Sequence, residues 1–302
     1  MKASVIVIDY KRKKYILDAL QSIKNQKGID LNDIEVIVVK YYKDEKIDNY
    51  IKENFPNYKI INLDPDDLDH YIGRTFSEGI KASSNNLIFL LEDDDMFVEN
   101  KISRIFEVVE KIKNYDEYLI LHKAIVTHDW KGRPFEKPRY IFGNDSCIIL
   151  NIKDKNKLIE YLRKIYYSVD DGLFCYFNKK IIKINEPLIY FRRHEENLTS
   201  GKFNKQMLEM ALHDHQYIYE KTKCKNQINR IISYKIQLNV IYNTNYKISL
   251  KEYIEYLSIF DKNYIKRLSK IILYKLFRNY LKKHYLRNYI YTDLNVQMYK
   301  NL

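Results

Sequence analysis

Four carboxylates stand in succession at Glu92-Asp93-Asp94-Asp95, directly behind the apolar run Leu87-Ile88-Phe89-Leu90-Leu91. A short buried strand ending in such a run aims its acids at one point from a rigid base. Negative charges that close repel strongly unless a cation sits among them. All-oxygen ligands suit a hard ion, Mn²⁺ or Mg²⁺, of the kind that also holds substrate phosphates. The competing structural reading is a solvated acidic turn, or carboxylates favoured at the start of the next helix. A second acidic pair, Asp170-Asp171, is followed by Gly172. One of its carboxylates can act as a general base, although Asp is also an ordinary helix cap. Arg192-Arg193-His194 forms a third cluster. Arg holds phosphate oxygens bidentately, and His serves as metal ligand or donor.

These residues need a scaffold, and the apolar pattern describes one. Ser4 to Ile8, Glu35 to Val39, Tyr58 to Leu63 and Leu87 to Leu91 read as strands. Helical spacing between them covers Lys13 to Asn25, Ile47 to Asn54 and Thr75 to Ala82. Such alternation predicts an α/β fold, a mostly parallel sheet with helices on both faces. Ligands collect at the carboxyl ends of its strands, where Asp9 and Glu92 to Asp95 fall. Helices follow at Lys101 to Lys113, Asp154 to Tyr166 and Leu173 to Asn178, with strands at Tyr118 to Val126 and Ser146 to Asn151. Ile181 to Ile184 and Leu188 to Arg192 read as two short strands around Pro187. From about residue 205 the pattern is helical.

The chain has 302 residues and a net charge of +12. Residues 1–201 are balanced, and residues 202–302 carry 19 Lys and Arg against 7 Asp and Glu, so the whole excess lies in the last third. Tyr264 to Tyr291 sets apolar residues against Lys266, Lys270, Arg278 and Lys282, a pattern suited to an anionic membrane surface. Surface solubilisation of a helix, packing on the rest of the chain and self-association are the alternatives, and nucleic acid is not expected. Cys147, Cys175 and Cys224 match neither a zinc spacing nor a disulfide framework. No signal peptide or membrane span is read. The expected location is cytoplasmic, with a peripheral position at the inner face of the cell membrane as the option that the basic region opens.

Together these pieces resemble the inverting glycosyltransferase family 2, of GT-A (Rossmann-like) fold, over residues 3 to about 200. The opening Ser4 to Arg12, the helix ending Ser22 to Gln26, and Gly73 to Ile80 are similar to the family's first strand, helix and pre-metal helix. Leu91 to Asp95 resembles its Asp-X-Asp motif, with Glu92 and Asp94 at the acidic positions. Asp170-Asp171 resembles the pair carrying the catalytic base. Glu186 to His194 and Asn197 to Ser200 resemble the closing motif.

The resemblance implies a GT-A catalytic domain at 1–204 and a basic helical region at 205–302. It implies transfer of a sugar from a nucleotide-diphosphate donor to an acceptor hydroxyl, glycan or lipid-linked, with inversion. Asp171 is expected as base, with Asp170 as the alternative. Asp94, Asp95 and His194 are expected at the metal. Asp9, Tyr10, Arg12, Lys40, Arg74, Glu92, Asp93 and Arg193 are expected at the nucleotide sugar, and Trp130, Asn144 and Asp145 at the acceptor. Lys40 stands where the family usually has Asp, and Phe76-Ser77 where it usually has Arg-Asn, with Arg74 as a replacement phosphate contact. Those departures keep a non-catalytic binding protein in view. A nucleotidyltransferase shares the strand-then-carboxylate geometry but leaves Asp170-Asp171 unexplained.

Overall fold

A computed structural model describes residues 1–9, 14–64, 71–113, 115–128, 134–142, 144–194 and 204–258, together with Ser269 and Tyr274. Strands β1 (Ala3–Asp9) and β2 (Ile34–Lys40) are buried along their whole length. Continuous Val and Ile runs fill both faces, as a sheet covered on both sides requires. With β3 (Asn57–Asn62) and β4 (Leu87–Glu92) they form a parallel sheet in the order β3-β2-β1-β4. Helices α1 (Ile16–Lys24), α2 (Glu45–Asn54) and α3 (Ile72–Ala82) make the connections.

Strand order reverses between β1 and β4, which are adjacent, with Ile8 opposite Glu92. An open α/β sheet makes its ligand crevice at such a switch point. Asp9 ends β1 there, and the acidic run ends β4. At the opposite pole of the sheet Glu35 ties the strands together. It accepts from Ser4 Oγ at 2.6 Å and from the Ser84 backbone N–H at 2.8 Å, and it pairs with Lys59 at 2.7 Å.

Beyond β4 the sheet is mixed. It continues through β8 (Ile148–Asn151), β6 (Tyr118–His128), β9 (Ile181–Phe191) and β5 (Met96–Phe97), with β7 (Pro134–Phe142) paired to β6. The β4–β8, β8–β6, β6–β7 and β9–β5 pairs are antiparallel, and β6–β9 is parallel. The expected parallel sheet is therefore its first half. Instead of two short strands around Pro187, β9 is one strand. Its register against β6 shifts on either side of Lys123, which faces Pro187. Proline lacks the ladder donor, and a bulge absorbs the break. The sequence reading missed β7, because Pro134 and Pro138 argue against a strand. Those prolines are tolerated because β7 pairs on one side only.

Helix α4 (Lys101–Val109) follows β5, and α5 (Lys155–Leu162) follows β8. Helix α6 spans Val169–Phe177, four residues earlier than expected, so Asp170 and Asp171 lie in its first turn rather than in a loop ahead of it. Three further helices are α7 (Lys205–Thr222), α8 (Asn226–Tyr242) and α9 (Leu250–Leu257). Ile218 of α7 belongs to the main core, whereas Leu208 and Leu212 join a second core with α8 and Tyr256 of α9. One helix thus spans both cores. Packing on the rest of the chain, one of the alternatives for this region, is what the described residues up to 258 show. None of the described helices is long and apolar enough to cross a membrane.

Candidate active site

Glu92, Asp94 and Asp95 each offer an oxygen within 4.8 Å of the others. His194, in the segment after β9, places Nε2 2.9 Å from Asp94 Oδ2. Its ring is held by Tyr15, at 4.6 Å between centroids. Asp94 is buried and Glu92 half-buried. Three convergent carboxylates beside an imidazole fit a divalent cation such as Mn²⁺ or Mg²⁺.

The three acids are not equivalent. Asp95 is fully buried and engaged on both oxygens. Asn144 Nδ2 donates to Oδ2, the Arg192 backbone N–H donates to Oδ1 at 3.2 Å, and Ser146 adds a side-chain bond. Burial, reinforced by the charge of Asp94, still pushes its carboxyl up to about 7. A bound cation would relieve that penalty. Asp94 with Glu92 therefore offers the more open ligand edge, and Asp95 braces it.

The bracing comes from a 3₁₀ turn at Asp145–Cys147 capped by Asn144. Asn144 Nδ2 also reaches Glu92 Oε2 at 3.3 Å. Ser146 Oγ accepts from the Glu92 N–H at 3.0 Å, and the Ser146 carbonyl accepts from Lys101 Nζ at 2.7 Å. Lys101 is fully buried, with its ammonium 3.8 Å from the Phe97 ring centroid. Asn144, expected at the acceptor, hydrogen-bonds the acidic cluster. Neither Ser146 nor Lys101 carries a motif that marks it.

Asp145 links this cluster to the second acidic group. Burial raises its pKa well above the usual carboxylate range, and the charges of Asp170, Asp95 and Asp171 add to that. Asp95, Asp170 and Asp171 therefore each lie within electrostatic reach of Asp145. In the first turn of α6, Asp170 is half-buried, and its Oδ1 accepts from the Asp171 N–H at 2.8 Å. Asp171 is 5% exposed. Its Oδ2 faces Arg230 Nε at 3.8 Å and His215 Nδ1 at 3.9 Å, and its buried Oδ1 has no hydrogen-bond partner among the described residues. Gly172 permits close packing behind the pair. A Cβ there would meet Ile165 Cδ1 at 2.5 Å, and its carbonyl accepts from Tyr161 OH at 3.1 Å.

The segment before α6 is stapled from the C-terminal helices. Asp214 of α7, fully buried, accepts from the backbone N–H groups of Tyr166, Tyr167 and Ser168 at 2.8, 2.8 and 3.0 Å. His215 Nδ1 donates to Gln227 Oε1 at 2.6 Å and stacks on Tyr234, 5.3 Å between centroids. These contacts were absent from the sequence reading, which placed the site wholly before residue 204.

Several expected contacts are corrected. Lys40 is fully buried, its ammonium donating to the Tyr42 carbonyl at 2.8 Å and pairing with Asp48 at 3.0 Å. It secures the end of β2 from inside and is removed from the nucleotide set. Phe76 is core and Ser77 is buried in α3, so neither replaces an Arg-Asn pair. Arg192 pairs with Asp18 at 2.8 Å and covers the Tyr15 ring at 4.6 Å, away from a shared phosphate cluster. Asp9 is fully buried at the end of β1, Asp93 is buried, and Arg74 and Arg193 are half-buried. Tyr10, Arg12, Trp130 and the motif Asn197 to Ser200 lie outside the described residues, as does Tyr264 to Tyr291 apart from Ser269 and Tyr274.

Known proteins share this architecture. The crystal structure of S. aureus TarS 1-349 in complex with UDP-GlcNAc superposes with a TM-score of 0.56 at 16% identity, covering 91% of this chain and 81% of that one. The same S. aureus fragment without that ligand gives 0.54 at 15% identity over 96% and 89%. Its complex with UDP gives 0.53 at 15% identity over 85% and 78%. At such identity these matches establish the fold alone. No curated protein sequence matches the chain. The sequence profile described as glycosyl transferase family 2 matches residues 4–183, more than half of the length. With its switch-point crevice and the two acidic groups around it, the chain belongs to glycosyl transferase family 2.

Proposed function

We propose that the protein transfers a sugar from a nucleoside-diphosphate sugar to an acceptor hydroxyl, with inversion and with the help of Mn²⁺ or Mg²⁺. The observation that carries this reading is the pairing of two acidic groups on either side of Asp145. One brings three carboxylates together at the switch point, and the other sits in the first turn of α6, where the buried Asp171 Oδ1 has no hydrogen-bond partner among the described residues. Asp94 with Glu92 would hold the ion, His194 would complete the set, and Asp95 would position them. When bound, the ion neutralises charge developing on the diphosphate leaving group.

Asp171 is the proposed base. It takes the acceptor hydroxyl proton as the acceptor oxygen bonds to the anomeric carbon from the face opposite the diphosphate. The C–O bond to the diphosphate breaks in the same displacement, and the nucleoside diphosphate leaves with the electron pair. Attack from the far side inverts the anomeric centre. Burial raises the Asp171 pKa, which favours proton uptake, while Arg230 lowers it and keeps the carboxylate available. Asp9 at the end of β1, with Arg74 and Arg193, is proposed to bound the nucleotide. A uridine donor is the first to try, because proteins of this fold were solved with UDP-GlcNAc and UDP.

Thermal unfolding with a panel of nucleoside diphosphates, with and without Mn²⁺, tests the binding half. A ligand held only by the folded state raises its stability. Mn²⁺-dependent stabilisation that disappears in Asp94→Ala supports the assignment. Stabilisation indifferent to both Mn²⁺ and the substitution removes the metal from it.

A further inference from the structure

The geometry points to Arg230, on α8, as a positioning residue for the Asp171 carboxylate, which makes the C-terminal helices a working part of the active site. This rests on the reading of Asp171 as general base. Arg230 is 7% exposed, and its Nε stands 3.8 Å from Asp171 Oδ2. His215 lies as close to the same oxygen, so the two must be told apart. Nδ1 of His215 donates to Gln227 Oε1, while Gln227 Nε2 donates to Cys175 Sγ at 3.1 Å, which fixes the amide orientation. Burial and the charge of Arg230 bring the His215 pKa down to about 4. At neutral pH the imidazole is uncharged, and it packs flat on Tyr234. Arg230 is then the charged partner of this oxygen.

Among the described residues, the other groups that act on Asp171 or feel its charge are acidic or neutral. Asp214 on α7 and Asp145 in the 3₁₀ turn push against its charge, and Asp170 adds a carboxylate on its own helix. Tyr161, Tyr234, Cys175 and Cys224 feel its field as uncharged neighbours. A carboxylate buried among other acids tends to take up a proton. A base that is already protonated cannot accept one from the acceptor. Arg230 opposes that tendency and directs Oδ2 toward α8, which leaves Oδ1 as the oxygen without a hydrogen-bond partner among the described residues.

The test is the pH dependence of kcat/KM in Arg230→Gln, Arg230→Lys and wild type, with Asp171→Asn alongside. An opposite charge at this distance lowers a carboxyl pKa by about one to three units. In Arg230→Gln the acidic limb is expected to move to higher pH by that amount. The rate would fall about tenfold per unit on the limb and recover above it. Arg230→Lys should bring the limb back toward wild type. A uniform loss at every pH, with the limb unmoved, would make Arg230 merely structural and overturn the inference.

Asp171→Asn separates the two layers of the reading. Retained turnover there sinks the assignment of the base itself. An inactive Asp171→Asn beside an unshifted Arg230→Gln sinks only the role of Arg230. Should Arg230→Gln fail to fold, the double variant D171N/R230Q decides. Recovery of folding shows that the uncompensated Asp171 charge was the cause, whereas continued failure refutes the pairing.

Discussion

Asp214 offers a graded test of how the C-terminal helices hold the site. Its Oδ1 accepts from the Tyr166 N–H, and its Oδ2 accepts from those of Tyr167 and Ser168. Asp214→Ala leaves three backbone donors unpaired in a fully buried place. Each orphaned donor costs about 1–3 kcal/mol. The three share one acceptor and will not add fully, so a loss of roughly 3–6 kcal/mol is expected. That is a large part of the roughly 5–15 kcal/mol that stabilises a typical domain. Asp214→Asn should cost less. With its oxygen at the Oδ2 place it keeps two bonds, and its amide group turns donors toward Tyr166 alone, a loss of about 1–3 kcal/mol. Urea unfolding followed by tryptophan fluorescence and far-UV circular dichroism reads both values, provided the slope is unchanged. The stapled segment leads directly into the turn bearing Asp170 and Asp171, so turnover of folded Asp214→Asn should fall while donor affinity holds. Asp214→Ala within about 1 kcal/mol of wild type, or Asn as costly as Ala, would refute the reasoning.

Asp171→Asn should keep its shape and donor binding yet lose roughly 10²–10⁴ in turnover, the usual worth of a general base. If Asp170→Asn carries that signature instead, the half-exposed member of the pair is the base. Glu35 makes the fold acid-sensitive. Burial raises its pKa, but bonds from Lys59, Ser4 and Ser84 outweigh that and bring it down to about 2, from 4.5 when unperturbed. A depressed carboxyl stabilises the fold fully above about pH 4.5 and loses that contribution as pH falls toward 2. Glu35→Gln, followed by thermal unfolding across that window, should lose the Glu35 share of the slope, and a slope equal to wild type would count against the assignment. Residues 259–302 hold ten Lys and Arg against two Asp. We predict salt-sensitive binding to anionic vesicles, weakened roughly a hundredfold when Lys282, Lys283 and Arg287 become Gln, at about 1 kcal/mol per basic residue. Binding of the wild type that ignores low salt and anionic lipid would leave this charge without a membrane role.

The catalytic core was legible because its signals are local. Leu87 to Leu91 is apolar on both faces, and Glu92 to Asp95 follows without a gap, so strand and acids declare themselves together. His194 became legible only through the motif around it, since one His carries no spacing of its own. What escaped depends on contacts distant in sequence. Asp214 on α7 looks like any helical acid until the Tyr166–Ser168 backbone is seen to donate to it. Arg230 reads as one more charge in a basic region, where composition points outward to an anionic partner, yet its guanidinium turns inward to Asp171. Lys40 misled in the opposite sense. Its place at the end of β2 is a ligand-facing position by pattern, but Asp48 one helix later draws the ammonium inside. Helix α6 begins ahead of the expected Leu173 because Asp170 and Asp171 suit a first helical turn, where carboxylates meet the positive end of the dipole.

The proposed reaction is a single displacement, with the diphosphate leaving on one face and Asp171 activating an oxygen nucleophile on the other. Water can stand in for the acceptor, so the test needs no knowledge of the natural one. Proton NMR of the sugar first released from an α-linked nucleotide sugar in the presence of Mn²⁺ reads the stereochemistry before mutarotation. The β-anomer should appear first, and Asp171→Asn should suppress its release. Initial release of the α-anomer, or β-anomer formed at an undiminished rate by Asp171→Asn, would contradict the proposed displacement.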